Sequence, residues 1–518
     1  MPTGFEVDET VYGVSQPPIP TNITVDTDDY AAAIHKEVWG CGTPANFLMN
    51  HWGYGVKRNG EARIWTDFIG LARCYVVETP EIVAFSNHIG SLAFFMTESL
   101  DLDHRAIELF ANFGWFMGDT TPYRGISRVP AGRIIAVDQN GKIDESTYQT
   151  LSELVGNRSR EVDFSAILEP TRIAARNLDR VSEKTPTIYL SGGQDSRMSA
   201  SLWLSGGNDA NVVTFGNLER ESEIATELIR KYQQPSSQVV THKITVNSAS
   251  EVSMSLNDRL NKAHLMWDGD AAPTNMRRNI AIPRGSTAIS IGGSNGEVAR
   301  CHLYGQREFD RYSSGIAPAF DRLFRSYPGK VVTPGAAELS REFLENEYET
   351  ISSAGVQGLV AVDAFYVRQK LRRWSNQQLL STAAILLGSR EFVRMSYDLT
   401  VQQRIDRVSP REIVKLAVPE WKDEPFYKGT VTDAQQITRR GMRIWLTDPD
   451  EFNQYMDSPL IWDEFLQKNV LKDYRSLIPS EEANRAHESW FQRAIWIDSI
   501  EKHRKQLNDR SKNARSDR

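Results

Sequence analysis

Short apolar runs alternate with helix-type patterns through the middle of the chain. Ile188-Tyr189-Leu190 predicts a strand, and the loop Ser191 to Arg197 follows it. Met198 to Leu204 then carries a helix-type pattern closed by Gly206-Gly207. Asn211 to Phe215 predicts a second strand. After Gly216, Glu219 to Tyr232 predicts a helix with Ile224, Leu228 and Ile229 on one face, and Val239 to Ile244 a third strand. Thr287 to Ile291 predicts one more, running into Gly292 to Arg300. Strands separated by helices predict an α/β fold with a parallel sheet whose ligands sit at the carboxyl ends of the strands.

The flanks differ. Residues 1–35 carry Pro17, Pro18, Pro20 and the acidic run Asp26 to Asp29, and read as an extended arm. Residues 36–155 are β-rich, with short runs at Arg63 to Asp67, Cys74 to Val77, Ile82 to Ser86 and Val129 to Val137, and an apolar helix around Gly90 to Glu98. Residues 156–505 form the α/β unit with a helical carboxyl-terminal part, and 506–518 read as a flexible tail. Trp490, Phe491, Ile495, Trp496, Ile497 and Ile500 predict the core face of a terminal helix. Asp363, Tyr366, Arg368, Arg372, Arg373 and Trp374 share a helix, whose arginines read as internal ion pairs, as substrate-carboxylate contacts or as a solvated face.

Composition narrows the classes. A net charge of -7 argues against a dedicated nucleic-acid or membrane-surface protein. The three cysteines, Cys41, Cys74 and Cys301, lie far apart in no metal-binding or CxxC spacing, which predicts a reduced, cytoplasmic setting. The first thirty residues lack a basic region followed by an apolar one, so no secretory signal is expected, and no apolar run of spanning length occurs.

The loop Ser191-Gly192-Gly193-Gln194-Asp195-Ser196-Arg197 carries the candidate chemistry. Glycines allow close backbone approach to a ligand, the amides that open the next helix face an anion, and Ser191 and Ser196 add hydroxyl donors. Asp195 is unsuited to a bare phosphate and suited to Mg²⁺. The Walker pattern GxxxxGK[ST] is absent.

This strand-SGGQDS-helix unit resembles the pyrophosphatase-type loop of the asparagine synthetase superfamily. The resemblance implies ATP cleavage between its α and β phosphates, with AMP left on a carboxylate. It also implies an amino-terminal glutaminase-like (Ntn-type) layered domain, here matched by Asp67 to Gly70, Ala84 to Ser86 and Thr121 to Gly132. The carboxyl-terminal part would be an adenine-nucleotide α-hydrolase-like synthetase domain. Members with glutaminase activity use an amino-terminal cysteine. This chain begins Met1-Pro2-Thr3, so glutamine hydrolysis is not expected.

Carried over by motif, the resemblance assigns Leu190, Ser191, Gly192, Gly193, Asp195, Ser196 and Arg197 to the nucleotide, and the backbone of Phe215-Gly216 to the adenine. Ser222-Glu223 resembles a further family element, Glu223 being equally readable as a helix-start acid. Gly292 to Glu297 resembles the second signature, S-G-x-G-A-D-E, with Gly292 and Gly293 facing the pyrophosphate and Glu297 as second Mg²⁺ ligand and catalytic acid; an Arg300 partner is the alternative for Glu297. Where relatives carry a Glu or Tyr for proton transfer this chain has Gly293 or Ser294. Val418-Pro419 through Gly429 resembles the segment bearing the family's catalytic lysine, which points to Lys428, with Lys422 as fallback.

The expected activity is therefore ATP- and Mg²⁺-dependent amide formation between a carboxylate and an amine of the same or a second small molecule or peptide. That setting is similar to the β-lactam synthetases and lasso-peptide cyclases. Ammonia-dependent asparagine synthesis and a weakly catalytic nucleotide-binding scaffold are the alternatives. No nucleic-acid or membrane partner is expected, and a homo-oligomer stays open.

Overall fold

Between Gly4 and Thr147 the strand pairs of the computed structural model are antiparallel. The structure describes residues 4–15, 18–26, 29–40, 44–96, 99–155, 161–216, 218–233, 237–245, 254–271, 273–277, 289–314, 330–374, 383–427, 443–480 and 483–516. One sheet joins β1 (Gly4–Val7), β2 (Thr10–Val14), β3 (Trp52–Lys57), β4 (Ala62–Thr66), β8 (Arg133–Val137) and β9 (Ile143–Thr147) in that order. A smaller one has β5 (Tyr75–Glu78) between β6 (Val83–Ser86) and β7 (Ile126–Arg128).

The amino-terminal stretch is therefore not a free arm. Thr10, Tyr12 and Val14 are buried, and β2 pairs along its whole length with β3. Five residues of alternation next to a proline-rich segment carry too little signal to reveal a strand whose partner lies about forty residues on. The predicted helix near Gly90 is short, Ile89–Leu92 followed by a single tighter turn at Ala93–Phe95.

Turn chemistry explains the motifs of this part. Asp67 accepts backbone N–H groups of Ile69, Leu71 and Ala72 at 2.9–3.1 Å, folding the chain back at Gly70, which has φ +68°. The Gly132 N–H donates to the Asp67 carbonyl at 2.9 Å, and Thr66 Oγ1 donates to the Pro130 carbonyl at 2.7 Å. Asp67-x-x-Gly70 and the segment ending at Gly132 thus form one structural corner.

The second half contains a fully parallel sheet: β10 (Thr187–Tyr189), β11 (Ala210–Phe215), β12 (Val240–Thr245), β13 (Ser290–Ile291) and β14 (Ala383–Ala384). The order is β12-β11-β10-β13-β14, so the chain winds outward from β10 to one edge and then returns to β10's other side. The molecule is mixed α/β, with antiparallel sheets and a parallel sheet, as the patterning predicts at this level. The structure around the helix Leu359–Phe365 and the π-helical turn Tyr366–Leu371 settles the arginine question toward ion pairs. Arg368 binds Glu347, Arg372 binds Asp119 and Arg373 binds Asp270, all at 2.5–2.7 Å.

At the carboxyl end, the helix Arg485–Ser516 buries Phe491, Ile495, Trp496, Ile497 and Ile500, as expected. It does not give way to a flexible tail. Leu507 and Ser511 are buried, and Asn508 both accepts from the Leu100 N–H at 2.7 Å and donates to its carbonyl at 3.0 Å. A polar sequence continues as helix here because its few contacts fall on the packed face. Among the described residues no helix is long and apolar enough to cross a membrane.

Candidate functional site

The strand order makes β10 and β13 neighbours at the point where the winding reverses. Loops that leave the carboxyl ends of two such strands diverge to opposite faces and leave a crevice between them. The two glycine-rich loops are the segments in that position.

The first loop is cross-braced. Ser191 and Ser196 hydroxyls lie 2.9 Å apart, Ser196 Oγ accepts from the Ser191 N–H, and Ser191 Oγ accepts from the Gly193 N–H, both at 3.1 Å. Leu190 is buried and its backbone is engaged by the sheet: its N–H donates to Val213 and its carbonyl accepts from Thr214 Oγ1. The helix Gln194–Ser205 opens at Gly193 with no side-chain cap, so its first amides have no side-chain cap partner. Position 192 is tightly packed, so that an added side chain would need Tyr427 or Glu221 to give by a few tenths of an ångström. A Cβ there would stand 3.0 Å from Tyr427 Cβ and 3.1 Å from Glu221 Cγ.

The second loop rests directly on that helix start. A Cβ on Gly293 would lie 2.4 Å from the Ser196 nitrogen, and one on Gly296 2.5 Å from Asp195 Cγ. Gly292, by contrast, has open space around it. Gly293→Ala is therefore expected to lift the second loop off Asp195 and cost about 1–3 kcal/mol of stability, whereas Gly292→Ala should be close to neutral. Urea unfolding of the two variants checks this contrast.

Around these loops lies a cleft of about 490 Å³ bordered by Ser191, Gln194, Asp195, Glu221, Arg300 and Arg407, among others. Asp195 Oδ2 is 2.5 Å from Arg300 Nη2, while Oδ1 is buried with no hydrogen-bond partner. Burial pushes the Asp195 carboxyl up to about 6; Arg300 opposes this and the charge of Glu297 adds to it. Glu297 Oε1 accepts from the Tyr366 hydroxyl at 2.9 Å. That phenol is held above its usual range, first by burial and then by Glu297. The ring of His302 lies 4.5 Å from that of Tyr366, and burial, with Lys370 and Arg300 adding, brings its imidazole down to about 4. Tyr366 sits in the π-helical turn, a local irregularity often found at functional sites.

The predicted site residues divide clearly. Ser191, Gly193, Asp195 and Ser196 border the cleft together with Gly293, and Glu297 joins them through its effect on Asp195. Arg197 does not face it. Its side chain is buried, donates to the carbonyls of Gly192, Glu424 and Pro425 at 2.8–3.1 Å, and lies 4.3 Å from the Phe426 ring. One residue beyond the Ser191–Ser196 bracing, the helix has turned that side chain to the protein side. Arg197 is thus a clamp on the first loop. The Gly216 N–H is also taken, by the Thr245 carbonyl at 2.8 Å. Phe215 is half-exposed and stacks on Tyr189 at 5.6 Å. Lys428 lies outside the described residues. Its neighbour Tyr427 borders the cleft and donates its N–H to the Gly192 carbonyl at 2.8 Å. Lys422 is exposed on the turn after Pro419–Trp421.

Glu223 is a surface residue paired with Arg220 at 2.8 Å; Glu221, two positions earlier, is the acid that reaches the cleft. Arg300 pairs with Asp195 and not with Glu297. Glu221, Arg300, Arg407 and the Tyr366–Glu297 bond were not assigned to the site by sequence. Helical phase alone could have favoured Glu221 over Glu223; the others come together only across the fold. Among the described residues no group of three or more His, Cys, Asp and Glu converges as a metal centre. Asp195 keeps one buried carboxylate oxygen without a hydrogen-bond partner, and the charge of Glu297 is near enough to raise its carboxyl.

A scan against models of protein families finds no match, and no curated protein matches the chain.

Proposed function

We propose that this protein is an ATP-dependent, AMP-forming amide ligase. The observation that carries the reading is the convergence of two glycine-rich loops at the β10/β13 switch point, with Asp195 bordering one cleft and Glu297 near enough for its charge to raise the Asp195 carboxyl. In this reading the parallel sheet belongs to an adenine-nucleotide α-hydrolase-like domain, and the antiparallel sheets to a glutaminase-like (Ntn-type) layer. Cys74 is a poor candidate for a glutaminase nucleophile, because it is fully buried and burial pushes its thiol well above the ordinary range.

Asp195 and Glu297 would hold Mg²⁺, which screens the phosphate charge. The open amides at Gln194, the Ser191 and Ser196 hydroxyls and the guanidinium groups of Arg300 and Arg407 bind the phosphates. A substrate carboxylate oxygen attacks the α-phosphorus, the bond to the β-phosphate oxygen breaks, and pyrophosphate leaves. The amine nitrogen of the same or a second substrate then attacks the acyl carbon, AMP departs, and the Tyr366–Glu297 pair accepts the amine proton. That pair stands in for the proton-transfer side chain missing at Gly293 and Ser294.

The test is ATP–pyrophosphate exchange over a panel of carboxylates that includes aspartate and short peptides, alongside product formation with added amine. Tyr366→Phe is expected to keep exchange within about threefold and to slow amide formation by about 10²-fold, a usual size for a lost proton-transfer group. Exchange that fails with every carboxylate while Mg-ATP still binds would instead favour a nucleotide-binding scaffold.

A further inference from the structure

A second pocket, of about 200 Å³, lies among four separate chain segments. Phe113 and Trp115 come from the end of the helix His104–Phe113, and Lys370 and Arg373 from the π-helical turn and its continuation. Gln492 and Arg493 come from the terminal helix, and Pro273 and Thr274 complete the wall. One side is therefore aromatic and the other cationic. No acidic residue borders the pocket among the described residues.

The cations are held in different ways. Arg373 is matched by Asp270 at 2.5 Å, and the same carboxylate oxygen accepts from the Tyr75 hydroxyl at 2.6 Å. Arg493 donates to the carbonyls of Ala111 and Asn112 at 3.0 and 2.6 Å and lies 4.1 Å from the Trp490 ring. Lys370 Nζ sits 4.9 Å from the Trp115 ring, and among the described residues no carboxylate pairs with it. Burial and the neighbouring charge of Arg493 together make that ammonium harder to keep protonated than an ordinary lysine. A half-buried ammonium beside a second cation, over an aromatic floor, is stabilised by an anion entering with it.

We propose that this pocket binds a small organic carboxylate with a flat apolar body, the carboxylate on Lys370 and Arg493 and the body against Trp115. The volume suits a single small molecule and excludes a folded partner. The proposal is independent of the nucleotide reading, since none of these residues borders the cleft at the parallel sheet.

Titration calorimetry on the full chain tests it, with 3-phenylpropionate, its neutral amide and inorganic phosphate as probes. 3-Phenylpropionate is expected to bind. The amide should bind about tenfold more weakly or not at all, as should phosphate, which offers nothing to the aromatic floor. Lys370→Met should weaken 3-phenylpropionate about tenfold or more, and Lys370→Arg should retain most of the affinity. Because Lys370 makes no described hydrogen bond, Lys370→Met should keep its Tm, which separates lost binding from lost fold. Equal binding of the amide, stronger binding of phosphate, no binding of 3-phenylpropionate, or an unchanged affinity in Lys370→Met would each overturn the assignment.

Discussion

Asp195→Asn is expected to abolish ATP–pyrophosphate exchange, by about 10³-fold or more, while making the protein more stable. On the proposed reading, the loss follows from removing a carboxylate that would hold Mg²⁺ against the phosphates. The gain follows from linkage. The Asp195 carboxyl lies at about 6 in the folded chain against an ordinary 3.8, so the folded state holds the proton more tightly than the unfolded one. Stability from this group is then fully present below pH 3.8, falls as pH rises toward about 6, and stays flat above. At neutral pH the ionised group costs about 2–3 kcal/mol, at roughly 1.4 kcal/mol per unit, and a neutral Asn avoids most of that. Thermal unfolding at pH 5 and pH 8 checks both signs: the advantage of Asp195→Asn should be larger at pH 8. A variant that is inactive and also less stable at pH 8 would show that the Arg300 contact outweighs the burial of the charge.

Arg197→Met should unfold the site without touching the cleft directly. The guanidinium donates to the carbonyls of Gly192, Glu424 and Pro425, holding the first loop to the segment that ends at Tyr427. Burial draws its pKa down to about 10, partly offset by Glu424, so it remains charged at neutral pH. Losing it leaves the Glu424 and Pro425 carbonyls without this donor, while the Gly192 carbonyl keeps the Tyr427 N–H; at about 1–3 kcal/mol each, a total of about 2–5 kcal/mol is expected. Arg197→Lys should recover little, because one ammonium cannot span three acceptors in the geometry of a planar fork. Urea unfolding measures the loss, and limited proteolysis should show early cutting near 424–427. Full stability in Arg197→Met would remove the clamp and return this arginine to the list of candidate ligand contacts.

These two residues sit two positions apart and have opposite roles, and local sequence does not tell them apart. Both follow Gly192-Gly193, and both are charged residues in the first turns of a helix. Asp195 borders the cleft with the second loop packed against it through Gly293 and Gly296. Arg197 faces inward because the carbonyls of distant Glu424 and Pro425, with that of nearby Gly192, are available there. The same holds for Glu221 and Glu223, two positions apart in one acidic helix start with only one of them on the cleft.

What the sequence determined by itself is what depends on neighbours along the chain. The strand-loop-helix unit around Ser191, the parallel α/β winding through β12 and the buried face of the terminal helix all follow from short-range rules of periodicity, glycine placement and backbone hydrogen bonding. Tertiary structure alone decided the rest. The pairing of β2 with β3, the Asp195–Arg300 contact, the Tyr366–Glu297 bond and the Lys370 pocket each join residues with no fixed spacing. The energy of such contacts depends on burial and on distance in space, and a linear pattern of residue types carries neither.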